Sequence, residues 1–325
     1  MDKPKVLIAR KTFDDIVDRL RPHFELECKE DEGAWTQAEL IARLQGKTGV
    51  YITGTEKIDA TLLDACPQLR LISSMAVGYN NVDVAACTAR GVLLTNAPDV
   101  LTETTADFGF ALMMATARRI AESEHFLRRG EWKQWGVTMF AGSDVHGATL
   151  GILGMGRIGQ AIAKRGALGF GMKVIYHNRS RLAPELEAPL GARWVEKDEL
   201  LQQADHLVLV LPYSAASHHA IGAAELSKMK KTATLTNIAR GGIVDDAALA
   251  RALAAGTIAA AGLDVFEGEP SVHPELLTVP NVVLTPHIAS ASIPTRRAMA
   301  SLAVDNLIAV LTGGKPVTPV NPEVL

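Results

Sequence analysis

Cysteine is scarce in this chain. The three present, Cys28, Cys66 and Cys87, are odd in number, far apart and without C-x-x-C spacing. That excludes a disulfide framework and a thiolate zinc site, and it fits reduced, structural thiols. A surplus of either charge is also missing, since 33 basic against 36 acidic side chains leave a formal net charge of −3. Nucleic acid and membrane surfaces are therefore not expected partners. No apolar run approaches the ~20 residues of a membrane span, and the start, MDKPKVLIAR, lacks a signal-peptide core. Internal repeats and low-complexity tracts are absent as well. The expected location is the cytoplasm, and no metal is expected.

What remains is a globular composition, 48% hydrophobic and 21% charged, over 325 residues, enough for two domains of ordinary size. In the first part, the apolar runs KVLIAR, FELEC, GVYIT, LRLISSM and GVLLTNA alternate with helical patterns such as TQAELIARL and DATLLDAC. Such alternation predicts an α/β fold with a parallel sheet flanked by helices. The pattern from Thr104 to Arg129 is helical for about seven turns, long enough to bridge two domains. A second alternation follows in TLGILG, KVIYHN, HLVLVLP, ATLTNIA, AAAGLDVF and NVVLTP, and PTRRAMASLAVDNLIAVLTGG closes the chain as one helix. With that helix returning to the first domain, the expected division is 1–99 plus 290–325, and 100–289.

LGILGMGRIGQAIAKR places Gly154, Gly156 and Gly159 between a strand pattern and a helix pattern. In that setting the first glycine makes a tight turn, the second admits a pyrophosphate to the backbone, and the third lets helix and strand pack closely. The helix start then offers N–H groups to phosphate. About 20 residues further on, an NAD-preferring site has an acidic residue for the ribose hydroxyls. Here Asn178, Arg179, Ser180 and Arg181 stand there without a carboxylate. An amide, a hydroxyl and two guanidinium groups suit a 2′-phosphate, which predicts NADP(H) over a weaker NAD(H).

Three further segments carry chemistry: NIARGGIVD with Arg240, LDVFEGEP with Asp264 and Glu269, and TPHIAS with His287. Each follows a predicted strand, where ligands of open α/β sheets gather. Together they suit reduction of a 2-keto acid, with His287 as proton donor, Glu269 favouring its imidazolium, and Arg240 orienting the acid and stabilising an alkoxide. Taken singly, each also reads as a capping histidine, a surface acid or an ordinary ion pair.

The set GMGRIG, NIARGGIVD, AAGLDVFEGEP and PHIAS, in that order and with SMAVGYNNVD upstream, resembles the D-isomer-specific 2-hydroxyacid dehydrogenases over nearly the whole chain. LTETTADFGFALMMATARR and GSDVHGATLGILGMGRIG resemble most the glyoxylate/hydroxypyruvate reductase branch that includes 2-ketogluconate reductases. The resemblance implies two Rossmann-like or flavodoxin-like domains with the active site in the cleft between them. It implies Arg240, Glu269 and His287 as the catalytic set, and the N–H groups of Val77 and Gly78 as holders of the substrate carboxylate beside Arg240 and His287. Cofactor contacts are implied for Thr105, Arg157, Ile158, Leu211, Pro212, Ser217, the Ile238 carbonyl, Asp264 and His287. A homodimer through the cofactor domains is implied too, with Trp132 and Trp135 on an arm that covers the partner or packs at home.

Ala289 stands where many members of that family have glycine, and no regulatory domain is expected after Leu325. His177, His206, His218 and His219 read as structural or solvated, and His146 receives no role. The alternatives are a nucleotide-sensing regulatory or scaffold protein on the same fold, or a dehydrogenase for another D-2-hydroxy acid such as D-lactate or phosphoglycerate.

Overall fold

A computed structural model of the protein describes residues 3–325. It divides into two units, one running through Leu101 and joined by Ala291–Leu325, the other Thr102–Ser290. The first unit is built on five parallel strands, β1 (Lys5–Ile8), β2 (Glu25–Cys28), β3 (Gly49–Ile52), β4 (Leu71–Ser74) and β5 (Leu93–Thr95), in the order β2-β1-β3-β4-β5. This is the flavodoxin-like order of an open α/β sheet. The helix Gln37–Leu44 starts in a capping box, in which the Thr36 side chain accepts from the Glu39 N–H and Glu39 accepts from the Thr36 N–H. Its Leu40 and Leu44 pack with Val50, Ile52, Leu62 and Ile72 on one face of the sheet.

The helix Ile293–Leu311 belongs to this unit and packs on β3 and β4. Buried polar side chains fasten the C-terminal segment there. Asn321, 1% exposed, accepts from the Leu94 N–H at 2.7 Å and donates to the Val92 carbonyl at 3.0 Å, while Ser73 donates to the Ala303 carbonyl at 2.8 Å. Each of these buried polar groups is thereby paired, which avoids the ~1–3 kcal/mol penalty of an unsatisfied group.

The second unit holds seven parallel strands: β6 (Thr149–Leu153), β7 (Lys173–His177), β8 (Arg193–Trp194), β9 (His206–Leu209), β10 (Thr234–Asn237), β11 (Ala260–Leu263) and β12 (Val282–Leu284). Their order, β12-β11-β10-β9-β6-β7-β8, reverses direction between β6 and β9. Ligands of such sheets collect beyond the carboxyl ends of the strands at that switch point. Both faces are covered, one by Phe110, Met113 and Ile162 against Ile152, Tyr176 and Val208, the other by Leu249 and Leu253 with Leu207 and Leu235. Double coverage explains why these strands read as continuous apolar runs. The two-residue strand β8 has no counterpart in the sequence reading.

One expectation is corrected. The stretch Thr104 to Arg129 is not a single helix but two, Thr102–Ala117 and Ile120–Arg128, both within the second unit. Arg119 sits between them at φ +53°, and the Ala117 carbonyl, which a continuous helix would use, accepts from the Ser143 N–H at 2.9 Å. Gly142 lies so close that a Cβ there would meet the Ala117 oxygen at 2.2 Å. Arg119 then binds Glu122 through two 2.8 Å hydrogen bonds and lies over the Phe140 ring. The break is thus tertiary in origin, made by residues 140–143.

No helix among the described residues is long and apolar enough to cross a membrane. The three cysteines are free, and burial pushes the Cys87 thiol up to about 11, away from the reactive thiolate form.

Candidate active site

Neighbouring strands bring three distant segments together. Asn237, Leu263 and Leu284 end β10, β11 and β12, and the register pairs Asn237 with Leu263 and Leu263 with Leu284. Arg240 and His287 each follow three residues past that level, and Asp264 directly follows Leu263. The loop after β11 continues to Glu269. Sequence separation is large, yet the strand order makes these loops adjacent.

His287 Nδ1 lies 2.7 Å from Glu269 Oε2, and the Phe266 N–H donates to Glu269 Oε1 at 2.9 Å. An ionised carboxylate only accepts, so Nδ1 carries the hydrogen and Nε2 is left as the nitrogen that can exchange a proton. Both side chains are partly open, 47% for His287 and 33% for Glu269. Burial alone would raise the Glu269 carboxyl. The bond and charge of His287, the Phe266 N–H and the Arg240 charge together hold it below the ordinary carboxylate value. Arg240 is half-buried, donates to the Ala239 carbonyl at 2.7 Å, and is drawn below its usual value by burial against the opposing pull of Glu269.

His287 has φ +54°, a left-handed conformation that is costly for a non-glycine residue by about 1–3 kcal/mol. Asp264 holds it there. Its carbonyl accepts the His287 N–H at 2.9 Å, Oδ1 accepts from Ile288 N–H at 2.8 Å and the Thr285 hydroxyl at 2.7 Å, and Oδ2 accepts the Ala289 N–H at 2.8 Å. Asp264 is 0% exposed, and burial raises its carboxyl despite these bonds. The observed task of Asp264 is to shape the His287 loop. Direct contact with a cofactor, as the resemblance implies, would add to these bonds or displace one.

The glycine loop fits a dinucleotide. Gly154 has φ +104°, and a Cβ there would meet the Leu211 nitrogen at 2.6 Å, so β6 turns tightly against the end of β9. A Cβ on Gly159 would meet the Gly154 carbonyl at 2.5 Å, while Gly156 has open space. The helix Arg157–Lys164, which includes Ile158, begins at Gly156 without a side-chain cap, and a helix start of this kind suits an anion. Thr105 adds a buried hydroxyl with no hydrogen-bond partner among the described residues. The Leu211–Ser217 loop is closed by Ser217, whose hydroxyl donates to the Pro212 carbonyl at 3.0 Å. Ile238 is buried at the end of β10.

After β7 the four expected phosphate residues divide. Asn178 Oδ1 accepts the Met155 N–H at 2.7 Å and so braces the glycine loop. Arg181 is engaged with Glu187 through contacts of 2.6, 2.9 and 3.1 Å, and Tyr176 donates to the same carboxylate at 2.6 Å. Arg179 and Ser180 stand exposed. Glu187 and Thr285 escape sequence reading because their partners lie 6 and 21 residues away, with no pattern linking them.

In the first unit, the Val77 carbonyl accepts from Asn96 Nδ2 at 2.8 Å, and the Val77 and Gly78 N–H groups have no protein acceptor among the described residues. His206 is a core residue, bonded to the Thr234 hydroxyl at 2.8 Å and the Asp144 carbonyl at 3.0 Å. His177 meets the Val195 carbonyl at 2.9 Å.

Residues 110–289 match the family described as "D-isomer specific 2-hydroxyacid dehydrogenase, NAD binding domain". The chain is 49% identical over 99% of its length to 97% of a glyoxylate reductase from Thermococcus onnurineus. It is 47% identical to glyoxylate/hydroxypyruvate reductase B of Klebsiella pneumoniae, covering 99% of each. A solved NADPH-dependent glyoxylate/hydroxypyruvate reductase from Sinorhizobium meliloti, in complex with NADP and malonate, is similar at 39% identity and TM-score 0.87, covering 98% of this chain and 97% of that one. With the strand-end site and glycine loop above, these likenesses place the chain in the D-isomer-specific 2-hydroxyacid dehydrogenase family, in its glyoxylate/hydroxypyruvate reductase branch.

Proposed function

We propose that this chain reduces the C2 carbonyl of small 2-keto acids to D-2-hydroxy acids, with glyoxylate, hydroxypyruvate and 2-ketogluconate as candidate substrates and NADPH preferred over NADH. The observation that carries the reading is the 2.7 Å contact of His287 Nδ1 with Glu269, which leaves Nε2 to deliver a proton. The names of the relatives support the substrate class.

Gly154, Gly156, Gly159 and the buried Thr105 hydroxyl would hold a nicotinamide dinucleotide, and the chemistry it would supply when bound is a hydride. His287 Nε2 gives its proton to the carbonyl oxygen as negative charge develops there. Glu269 holds Nδ1 and so orients the ring beforehand, with Nε2 turned to the substrate. Arg240 attracts the substrate carboxylate and the growing alkoxide, and desolvation strengthens its pull. Val77 and Gly78, whose N–H groups have no protein acceptor among the described residues, are the substrate-binding residues proposed for the first unit. Arg179 and Ser180 would hold a 2′-phosphate, with Asn178 where an acidic residue would repel it.

The exposed arm with Trp132 at 53%, Trp135 at 72% and Val137 at 83% supports a homodimer, which light scattering tests. The function is tested by following nicotinamide absorbance with NADPH and NADH against each keto acid. NADPH oxidation by at least one of them, faster than with NADH, is the expected result. Binding of both cofactors without oxidation by any keto acid overturns the reading.

A further inference from the structure

Beside the catalytic loops, and absent from every role above, lies a second cluster of ligating side chains. His219 Nε2 is 2.9 Å from Glu267 Oε2, and His218 Nε2 is 4.0 Å from Glu267 Oε1. One ligand atom from each of the three residues lies within 4.8 Å of the others. The two rings stack at 3.9 Å between centroids. We propose that His218, His219 and Glu267 form a surface site for one divalent transition-metal ion of the zinc type, its remaining positions filled by water. The sequence reading expects no metal and assigns these histidines to structure or solvent.

The donor set selects the ion class. Two imidazoles and one carboxylate suit borderline ions such as Zn²⁺, whereas hard ions such as Mg²⁺ or Ca²⁺ favour all-oxygen shells. At a tetrahedral ion, bonds of ~2.0–2.2 Å separate two ligand atoms by about 3.3–3.6 Å. The present spread therefore needs only a small side-chain rotation, and His218, with 41% of its side chain exposed, is free to make it. As the ion enters, the hydrogen on His219 Nε2 passes by way of solvent to Nδ1, the neutral imidazole binds through Nε2 in place of its hydrogen bond to Glu267, and no oxidation state changes.

The surroundings preset the ligands. The Tyr213 hydroxyl meets His218 Nδ1 at 3.1 Å, the outer contact that orients a metal-binding imidazole and leaves Nε2 for the ion. His219 is held at φ +49°, with its N–H donating to the Gly242 carbonyl at 2.7 Å. The Glu267 N–H donates to Asp246 Oδ2 at 3.1 Å. Gly241 packs so tightly on this loop that a Cβ would meet the Phe266 carbonyl oxygen at 1.7 Å. All three ligands thus sit on segments with fixed backbones, so that closing on an ion needs side-chain rotation alone.

Location gives the ion a consequence. Glu267 lies two residues before Glu269, and the Gly242 carbonyl that holds His219 lies two residues after Arg240. A bound ion would clamp the Tyr213–His219 loop to the loop that carries Glu269.

The test is titration of the metal-free full chain with Zn²⁺ by calorimetry, with Co²⁺ absorption as a report on imidazole ligation. One equivalent is expected to bind. Affinity should fall by at least ~10-fold in Glu267→Gln and in His219→Asn, since asparagine tolerates the positive φ, and by about 10-fold in Tyr213→Phe. His287→Gln should bind Zn²⁺ as the parent does. Thermal midpoints in chelator separate lost ligation from lost folding, because Glu267→Gln removes only an exposed carboxylate. Unchanged affinity in Glu267→Gln and His219→Asn, loss of the equivalent in His287→Gln, or no binding by the parent chain would each overturn the proposal.

Discussion

Asp264 Oδ2 accepts the Ala289 N–H at 2.8 Å, so a carboxylate shut away from solvent fixes the backbone immediately after the positive-φ His287. Asp264 and His287 are related through main chain, and the placing of the imidazole proposed as proton donor depends on a residue that need not touch the reacting atoms. Asp264→Asn keeps the shape but turns one acceptor into a donor facing an N–H. Its expected effect is a kcat decrease of ~10-fold or more with a smaller change in KM, and a stability loss of about 1–3 kcal/mol. Steady-state kinetics and denaturant unfolding check both, and a KM change alone would show that the His287 loop does not rely on Asp264.

The imidazole itself is predicted to carry the proton. His287→Gln should lower kcat for keto-acid reduction by ~10²–10⁴ while leaving NADPH binding intact. Fluorescence titration of the cofactor beside turnover measurements separates the two quantities. Near-parental turnover would remove His287 from the chemistry.

Cofactor choice is predicted to rest on Arg179, because Arg181 is engaged with Glu187. Arg179→Asp should shift the ratio of kcat/KM for NADPH over NADH toward NADH by about 10–100-fold, the worth of one charge-assisted contact plus a new repulsion. Arg181→Ala should shift that ratio less and lower stability instead, since it strips Glu187, itself 5% exposed, of a partner. Equal shifts in the ratio would show that Arg181 leaves Glu187 for the phosphate.

Glu269 sets the acid side of the pH profile. Burial pushes its carboxyl up, but His287, the Phe266 N–H and Arg240 outweigh burial and hold it below the ordinary carboxylate value of 4.5. A carboxyl lowered on folding keeps its charge as pH falls toward the unfolded value, and its contribution to stability is lost only on passing through the folded value. Reduction should therefore show no acid limb from Glu269 above about pH 4.5. An acid limb near pH 6 that disappears in Glu269→Gln would show that burial prevails.

Much of the fold was legible because parallel strands covered on both faces are short apolar runs, and eleven of the twelve strands fall on the runs read from sequence. The two-residue β8 is too short to carry a pattern. The break at Arg119 was illegible for a different reason. Thr104 to Arg129 has helical spacing throughout, and the residues that capture the Ala117 carbonyl come from Gly142 and Ser143 beyond it. Likewise Arg179 and Arg181 are alike in sequence, and only Glu187, folded back beside Tyr176, distinguishes them.

By itself, the sequence determined the elements and their chemistry. Glycine spacing between a strand and a helix specifies a phosphate-binding turn, because backbone sterics act locally. Residue types after each strand supply an acid, a base partner and a cation. Tertiary structure alone decided which of them meet. The order β10, β11, β12 and their level register set Arg240, Glu269 and His287 side by side, and folding turned Asp264 inward to hold the His287 backbone. Those pairings depend on strand neighbours and buried hydrogen bonds across long sequence separations, where local propensity carries no information.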